Sequence, residues 1–201
     1  MLTIAIQAGG QSRRMGTDKA RVQLAGKPLI EHVLGRVEGM ADEILITSNH
    51  PESLAYLEIP LVRDAIPGVG ALAGLYTALE AAHGNHVLVL ACDMPFVNRQ
   101  LLEYMIGLAP EADIVVPLHA SYFEPMHAIY NKSCLPAIES SLSNGETRVI
   151  SFYERMVVRA IDENEIATFK PRGRSFFNIN TPEDLALAET YLLQNSDGNK
   201  S

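Results

Sequence analysis

The sequence predicts one α/β domain with a mainly parallel sheet and helices on both faces. Three observations carry this. Short β-branched runs alternate with amphipathic ones along nearly the whole chain. The run HVLVLACD is apolar without alternation, as expected of a central strand covered on both faces. Several strand-like runs end in a polar residue: Asn49 in EILITSN, Asp64 in IPLVRD, Asp93 in HVLVLACD and Asn180 in FFNIN. In a parallel sheet such ends share one edge, where ligands bind.

The elements follow in order. LTIAIQ is short and β-branched and reads as a buried strand. Pro28 opens a helix whose Leu29, Ile30, Val33, Leu34 and Val37 fall on one face. EILITSN is a strand, PESLAYL a short helix and IPLVRD a strand. Gly70 to Ala82 has helical composition, and HVLVLACD follows as the central strand. Leu101, Leu102, Met105 and Ile106 give the next helix its stripe. DIVVPL and PMHAIY are strands, and Ser133 to Leu142 is a helix. The 115–160 region is less regular and leaves room for an antiparallel strand. VVRAID and FFNIN are late strands. Thr181-Pro182-Glu183-Asp184 reads as N-cap, N1 proline and N3 acid of the last helix. Residues 1–194 are expected to form a single domain, and 195–201 a polar, frayed tail.

Composition narrows the function classes. The chain has 201 residues, a formal net charge of −8 and 47% hydrophobic residues, which fits one globular core. An acidic chain is a poor general partner for nucleic acid or anionic lipid. Six basic residues nevertheless stand against two acidic ones in residues 1–37, a local bias suited to a small anionic ligand or arising by accident. The longest stretch without Asp, Glu, Lys or Arg, Ala65 to Leu79, is broken by glycines and a proline, and is too short for a membrane span. No signal peptide is read at the N-terminus. Two cysteines, Cys92 and Cys134, make neither a disulfide framework nor a zinc knuckle. A cytoplasmic location is expected.

The loop AGGQSRRMGTDK, residues 8–19, follows the first strand directly. Ala8, Gly9 and Gly10 let backbone N–H groups approach an anion, and Arg13, Arg14 and Lys19 add charge. The spacing is neither a P-loop nor a G-x-G-x-x-G fingerprint. A surface turn is the other reading of this loop. Asp93, at a buried strand end, suits a single carboxylate ligand for Mg²⁺. The other reading is a helix N-cap or a core carboxylate held by backbone N–H groups. Asn49, Asp64 and Asn180 taken singly are ordinary turn residues; together they converge on one edge. His127, alternating with Met126 and Ala128 in a strand, is a candidate pocket wall. No H-E-x-x-H or G-x-S-x-G pattern occurs.

AGGQSRRMGTDK, LAGKPLIEHV, PGVGALAGL, VLACDMPF and NINTPEDL, in this order, resemble the molybdenum cofactor guanylyltransferases, a family within the Rossmann-like nucleotidyltransferase fold. The resemblance runs from about residue 2 to 192. It implies transfer of GMP from GTP to the phosphate of molybdenum-bearing molybdopterin, releasing pyrophosphate. It implies Ala8, Gly9 and Gly10 at the nucleotide, and Lys19, Arg13 and Arg14 at its phosphates. Asn49 and Asp64 belong to the guanosine site, and Asp93 holds Mg²⁺ and nucleotide. Asn180, Arg148 and His127, with the 117–130 segment, receive the pterin. Catalysis rests on Asp93, Lys19 and Arg13. Implied partners are GTP, the molybdopterin cofactor and a recipient molybdoenzyme or cofactor-insertion protein. A monomer with no nucleic acid or membrane partner is expected. Gly9 favours GTP over CTP on steric grounds. Gln7 stands where the family usually has Leu, Ala71-Leu72 where Pro-Leu is common, and Thr147-Arg148 where two basic residues often occur. A same-class enzyme using CTP or another phosphate acceptor is the alternative.

Overall fold

The structure, a computed structural model, describes residues 1–8, 19–66, 69–170 and 174–197. The chain opens with β1 (Leu2–Gln7), a hairpin of β2 (Gln23–Leu24) and β3 (Lys27–Pro28), and α1 (Leu29–Val37). Then come β4 (Glu43–Ser48), β5 (Leu61–Arg63), α2 (Ala71–Ala81), β6 (His86–Ala91) and α3 (Arg99–Leu108). The second half holds β7 (Ile114–His119), β8 (Tyr122–Phe123), β9 (His127–Asn131), α4 (Leu135–Ser143), β10 (Val158–Ile161), α5 (Glu163–Ile166) and α6 (Pro182–Asp197). The main sheet runs β10-β7-β9-β6-β1-β4-β5, with β8 added on β7. The pairs β1–β4, β1–β6, β4–β5 and β7–β10 are parallel, while β9 runs antiparallel to both β6 and β7. The mainly parallel sheet with helices on both faces is as expected, and β9 fills the room left for an antiparallel strand.

Side-chain alternation divides the core. Ile4, Ile6, Leu88 and Leu90 pack under α1 and α3 with Ile30, Val33, Leu102 and Met105. Ala5, Val87 and Val89 face α2 and α4 with Leu72, Leu75, Leu79 and Ile138. Each of these fully buried branched side chains contributes about 1.5–3 kcal/mol of transfer free energy. A third cluster joins α6 to the β2–β3 hairpin through Leu24, Leu29, Phe96, Ile179 and Ala188.

Two caps fix helix starts near the functional edge. The Asn98 side chain accepts from the N–H groups of Gln100 and Leu101 at 2.9 and 3.2 Å, starting α3. Thr181 Oγ1 accepts from the Asp184 N–H at 3.1 Å while the Asp184 carboxylate accepts from the Thr181 N–H at 2.9 Å. This is the reciprocal box expected for α6. α6 itself runs on to Asp197.

Three local expectations change. PESLAYL forms a 3-10 helix over Pro51–Leu57, and a 3-10 turn over Lys132–Cys134 precedes α4. FFNIN is not a strand: a 3-10 turn covers Arg174–Phe176 and irregular chain follows. The edges of β6, the strand it crosses, are already filled by β1 and β9, so it cannot pair there. It crosses the carboxyl end of the sheet instead, with the Ile179 N–H donating to the Asp93 carbonyl at 3.0 Å. Phe176 and Ile179, three residues apart, are its buried anchors.

Candidate active site

β5, β4, β1 and β6 bring their carboxyl ends to one edge. The chain winds outward from β1 in both directions, so β1 marks the switch point where open α/β sheets bind ligands. A cleft of about 280 Å³ lies there, lined among others by Gln7, Lys19, Ala71, Asp93, Glu124 and Asn178.

Asp93 follows β6 in a tight turn and is 8% exposed. Its main chain is pinned on two sides, by the Ile179 N–H and by the neighbouring Cys92 N–H, which donates to the Gln7 carbonyl at 3.1 Å. Lys19 opens a 3-10 turn, Lys19–Arg21. Its Nζ lies 2.8 Å from Asp93 Oδ2 and also donates to Asn180 Oδ1. A nearly buried carboxylate thus has its counter-charge, and the ammonium is held at the cleft. Asn180 is fixed in turn by its own N–H, which donates to the Asp184 carboxylate at 2.9 Å. That bond, with those from Thr181, holds the Asp184 carboxyl below its ordinary range. Lys19, Asp93 and Asn180 therefore meet, although Asn180 arrives from an irregular crossing rather than a strand end.

The β1–β4–β5 side is different. Gln7 Nε2, Asn49 Oδ1 and Asp64 Oδ1 are buried with no hydrogen-bond partner among the described residues. Asn49 and Asp64 directly follow β4 and β5, with the Asp64 N–H donating to the Ser48 carbonyl at 3.3 Å and Arg63 Nη1 to the Asn49 carbonyl at 2.8 Å. Burial pushes the Asp64 carboxyl up. Neither residue lines the cleft with Asp93. Ala8 is buried and its N–H already donates to the Thr47 carbonyl at 2.8 Å, so that donor extends the sheet. Gly9, Gly10, Arg13 and Arg14 lie outside the described residues.

The residues expected at the pterin separate. His127 is fully buried, not a pocket wall. Its ring stands edge-on to Phe176 at 5.0 Å between centroids, and burial pushes its pKa down to about 3. The reason is register: β9 pairs His127 with Leu90 inside the sheet, while Glu124, Pro125 and Met126, just before the strand, line the cleft. Arg148 is exposed ahead of the 3-10 helix Val149–Arg155. Its neighbour Thr147 borders α2: a Cβ placed on Gly70 would lie 3.7 Å from Thr147 Cβ. Gly70 has φ +105°, which L side chains rarely adopt.

Three cleft residues were not singled out from sequence: Gln7 as a ligand group, Glu124 and Asn178. Glu124 has no hydrogen-bond partner for its carboxyl among the described residues, and burial pushes it up to about 7. The pair of asparagines in NIN was the available signal for Asn178.

A divalent cation fits the Asp93 carboxylate by donor chemistry. Among the described residues no group of three or more His, Cys, Asp or Glu could hold a metal. A Mg²⁺ at Asp93 would complete its shell with phosphate and water oxygens, as this ion commonly does. Among the described residues no helix is long and apolar enough to cross a membrane.

Strand order, a switch-point cleft and a paired lysine and aspartate at its floor define a nucleotidyltransferase of the Rossmann-like kind. A family model described as the MobA-like NTP transferase domain matches residues 4–160. The chain is 37% identical over 186 residues to a Pelotomaculum thermopropionicum protein named "Probable molybdenum cofactor guanylyltransferase", covering 92% of this chain and 91% of that one. It is 34% identical to the "Molybdenum cofactor guanylyltransferase" of Desulfosudis oleivorans, covering 94% of each. The crystal structure of molybdopterin-guanine dinucleotide biosynthesis protein A from Archaeoglobus fulgidus superposes with a TM-score of 0.83 at 32% identity, covering 96% of this chain and 99% of that one. The chain belongs to the molybdenum cofactor guanylyltransferase family.

Proposed function

We propose that this protein transfers GMP from GTP to the terminal phosphate of molybdopterin carrying molybdenum. The observation that carries the reading is Lys19 held against Asp93 and Asn180 at the switch-point cleft. An oxygen of the acceptor phosphate attacks the α-phosphorus of GTP. The bond to the bridging oxygen breaks, and pyrophosphate leaves with that electron pair. No protein nucleophile or proton transfer is needed, because the attacking oxygen is already anionic. The protein's work is positioning and charge compensation. Lys19 supplies a fixed positive charge to the triphosphate. Asp93, fastened through its main chain to the 178–180 crossing, sets where that charge and the phosphates sit. Mg²⁺ at Asp93 would supply further counter-charge to the phosphate oxygens. Glu124, Met126 and Asn178 form the opposite wall, where the acceptor enters.

Thermal unfolding with GTP, CTP, ATP and UTP, each with and without Mg²⁺, tests this. A ligand at a hundredfold excess over Kd stabilises by about 2.7 kcal/mol. For a chain of this size that raises Tm by roughly 5–11 °C. Selective, Mg²⁺-dependent stabilisation by GTP is expected. Selective stabilisation by CTP would move the protein to the cytidylyl branch, and indifference to all four nucleotides would overturn the reading.

A further inference from the structure

Gln7 ends β1, the strand from which the sheet winds in both directions. Its side chain is on the Ala5 face, toward α2, and the residue is 7% exposed. The carboxamide lies flat against Gly74: a Cβ there would come 2.9 Å from Oε1, 3.2 Å from Cδ and 3.3 Å from Nε2. Any side chain at 74 would occupy the space the amide uses. The amide is thus a packed, located group that lines the cleft, yet its Nε2 is buried with no hydrogen-bond partner among the described residues. A buried donor left unmade is costly, and such a group is normally satisfied by something.

The adjacent strand ends carry complementary gaps. Asn49 Oδ1 after β4 and Asp64 Oδ1 after β5 are buried acceptors without partners among the described residues. Across β1, β4 and β5 the edge therefore offers one donor and two acceptors. On the other side of β1 the offer is ionic, Lys19 with Asp93. Phosphates belong with the cation. A heterocycle with donors and an acceptor of its own belongs with these unpaired groups. A guanine edge presents one acceptor, O6, and two donors, N1–H and the 2-amino group, which matches one donor and two acceptors. Adenine presents an amino group where guanine has O6 and would set donor against donor.

We infer that Gln7 is a specificity-determining residue for the nucleotide, its carboxamide, set on Gly74, donating from Nε2 to the lactam carbonyl of the purine. The inference rests on the guanylyl reading above and names the group that reads the base. The acceptor's pterin carries a similar lactam carbonyl. Gln7 ends the strand paired with β4, which Asn49 closes, and β4 is paired with β5, which Asp64 closes; this adjacency assigns the contact to the nucleotide.

The experiment measures Kd by titration calorimetry on the full chain with Mg²⁺ present. The ligands are GTP and 6-thioguanosine triphosphate, which keeps N1–H and the 2-amino group and puts a weakly accepting sulfur in place of O6. The proteins are wild type, Gln7→Met and Gln7→Glu. Wild type should prefer GTP by about tenfold, the worth of one hydrogen bond in a dry site. Gln7→Met keeps the length and removes the donor; its preference should fall to near one, through weaker GTP binding and unchanged analogue binding. Gln7→Glu substitutes an acceptor and should lose the preference as well, which covers the case where Gln7→Met does not fold. A wild type with no preference for GTP over the analogue would overturn the inference without any variant. So would a preference that survives in the variants, or equal weakening of both ligands. Unchanged nucleotide affinities with a raised KM for the pterin acceptor would place the contact on the acceptor and overturn it too. A wild type that binds no GTP at all would remove the guanylyl reading itself, a different failure from the loss of O6 discrimination.

Discussion

The two halves of the sheet end in opposite ways. β1, β4 and β5 close on Gln7, Asn49 and Asp64, each with one buried polar atom that has no partner among the described residues. Across β9 Tyr130 and Asp113 are paired, and the unpartnered atoms sit inside the sheet rather than at the edge: both ring nitrogens of His127, opposite Leu90, are buried with no partner among the described residues. Tyr130 Oη meets Tyr153 Oη and the Pro125 carbonyl, each at 2.7 Å. Asp113 accepts from Ser133 Oγ at 2.6 Å and from the Val157 N–H at 3.0 Å. Topology explains the contrast. Parallel strands point every carboxyl end at one edge, so their terminal polar groups collect there without strands opposite to satisfy them. Antiparallel β9 returns through the sheet, and neighbouring chain satisfies its ends. A polar residue closing a parallel strand is therefore a better pointer to ligand than one in the antiparallel half.

The largest break in this comparison comes at the seam. Asp93→Ala removes the carboxylate that locates Lys19 at the end of β6. Turnover should fall by about two to three orders of magnitude, the scale of losing one preorganised electrostatic group. Pyrophosphate release with GTP and acceptor measures it, and near-wild-type turnover would take Asp93 out of the chemistry. Stability should change much less, because the turn keeps its main-chain bonds to Ile179 and Gln7.

The parallel half was legible in the sequence because its signals are local. Unbroken apolar runs mark strands buried on both faces, and the residue after each run sits at the functional edge whatever the loops do. Asp93 was found this way, and Lys19 as the lysine of the glycine-rich basic loop after the first strand. The antiparallel half was harder. Apolar spacing in FFNIN mimics a strand, and only the filled edges of β6, the strand it crosses, show that the segment cannot pair there. Period two put His127 on a strand but could not say which face was wet. The place of Gln7 depends on Gly74, remote in sequence, whose missing side chain leaves the amide its room. That relation exists only after packing.

A smaller effect sharpens the Gln7–Gly74 contact. Gly74→Ala places a methyl 2.9 Å from Gln7 Oε1. The atom met is the far end of a flexible side chain, so the amide yields rather than the backbone. The strain is further offset by alanine's helix preference of about 1 kcal/mol over glycine. Stability should stay within about 1 kcal/mol of wild type while GTP binding weakens several-fold. Gly107→Ala is the control. Gly107 is exposed on α3, and a Cβ there meets nothing within 4 Å. That change should add about 0.5–1 kcal/mol and leave binding alone. Equal effects of the two variants on GTP affinity would show that Gly74 is merely a helix position.

The smallest effect is a pH slope in the antiparallel half. Burial raises the Glu124 carboxyl to about 7, against 4.5 when unfolded. Between those values the folded chain binds more protons than the unfolded one, so this residue's contribution to stability falls as pH rises through the window. His127, pushed down to about 3 from 6.5, has the opposite slope: its contribution is lost as pH falls below about 6.5. The two oppose each other between about 4.5 and 6.5, and above 7 only the Glu124 penalty remains. Glu124→Gln keeps the shape and removes the charge. Its Tm should match wild type at pH 4, where both side chains are neutral, and exceed it at pH 8 by an amount of order 2–4 °C. An equal offset at both pH values would trace the change to packing and show that the Glu124 carboxyl is solvated in the free protein.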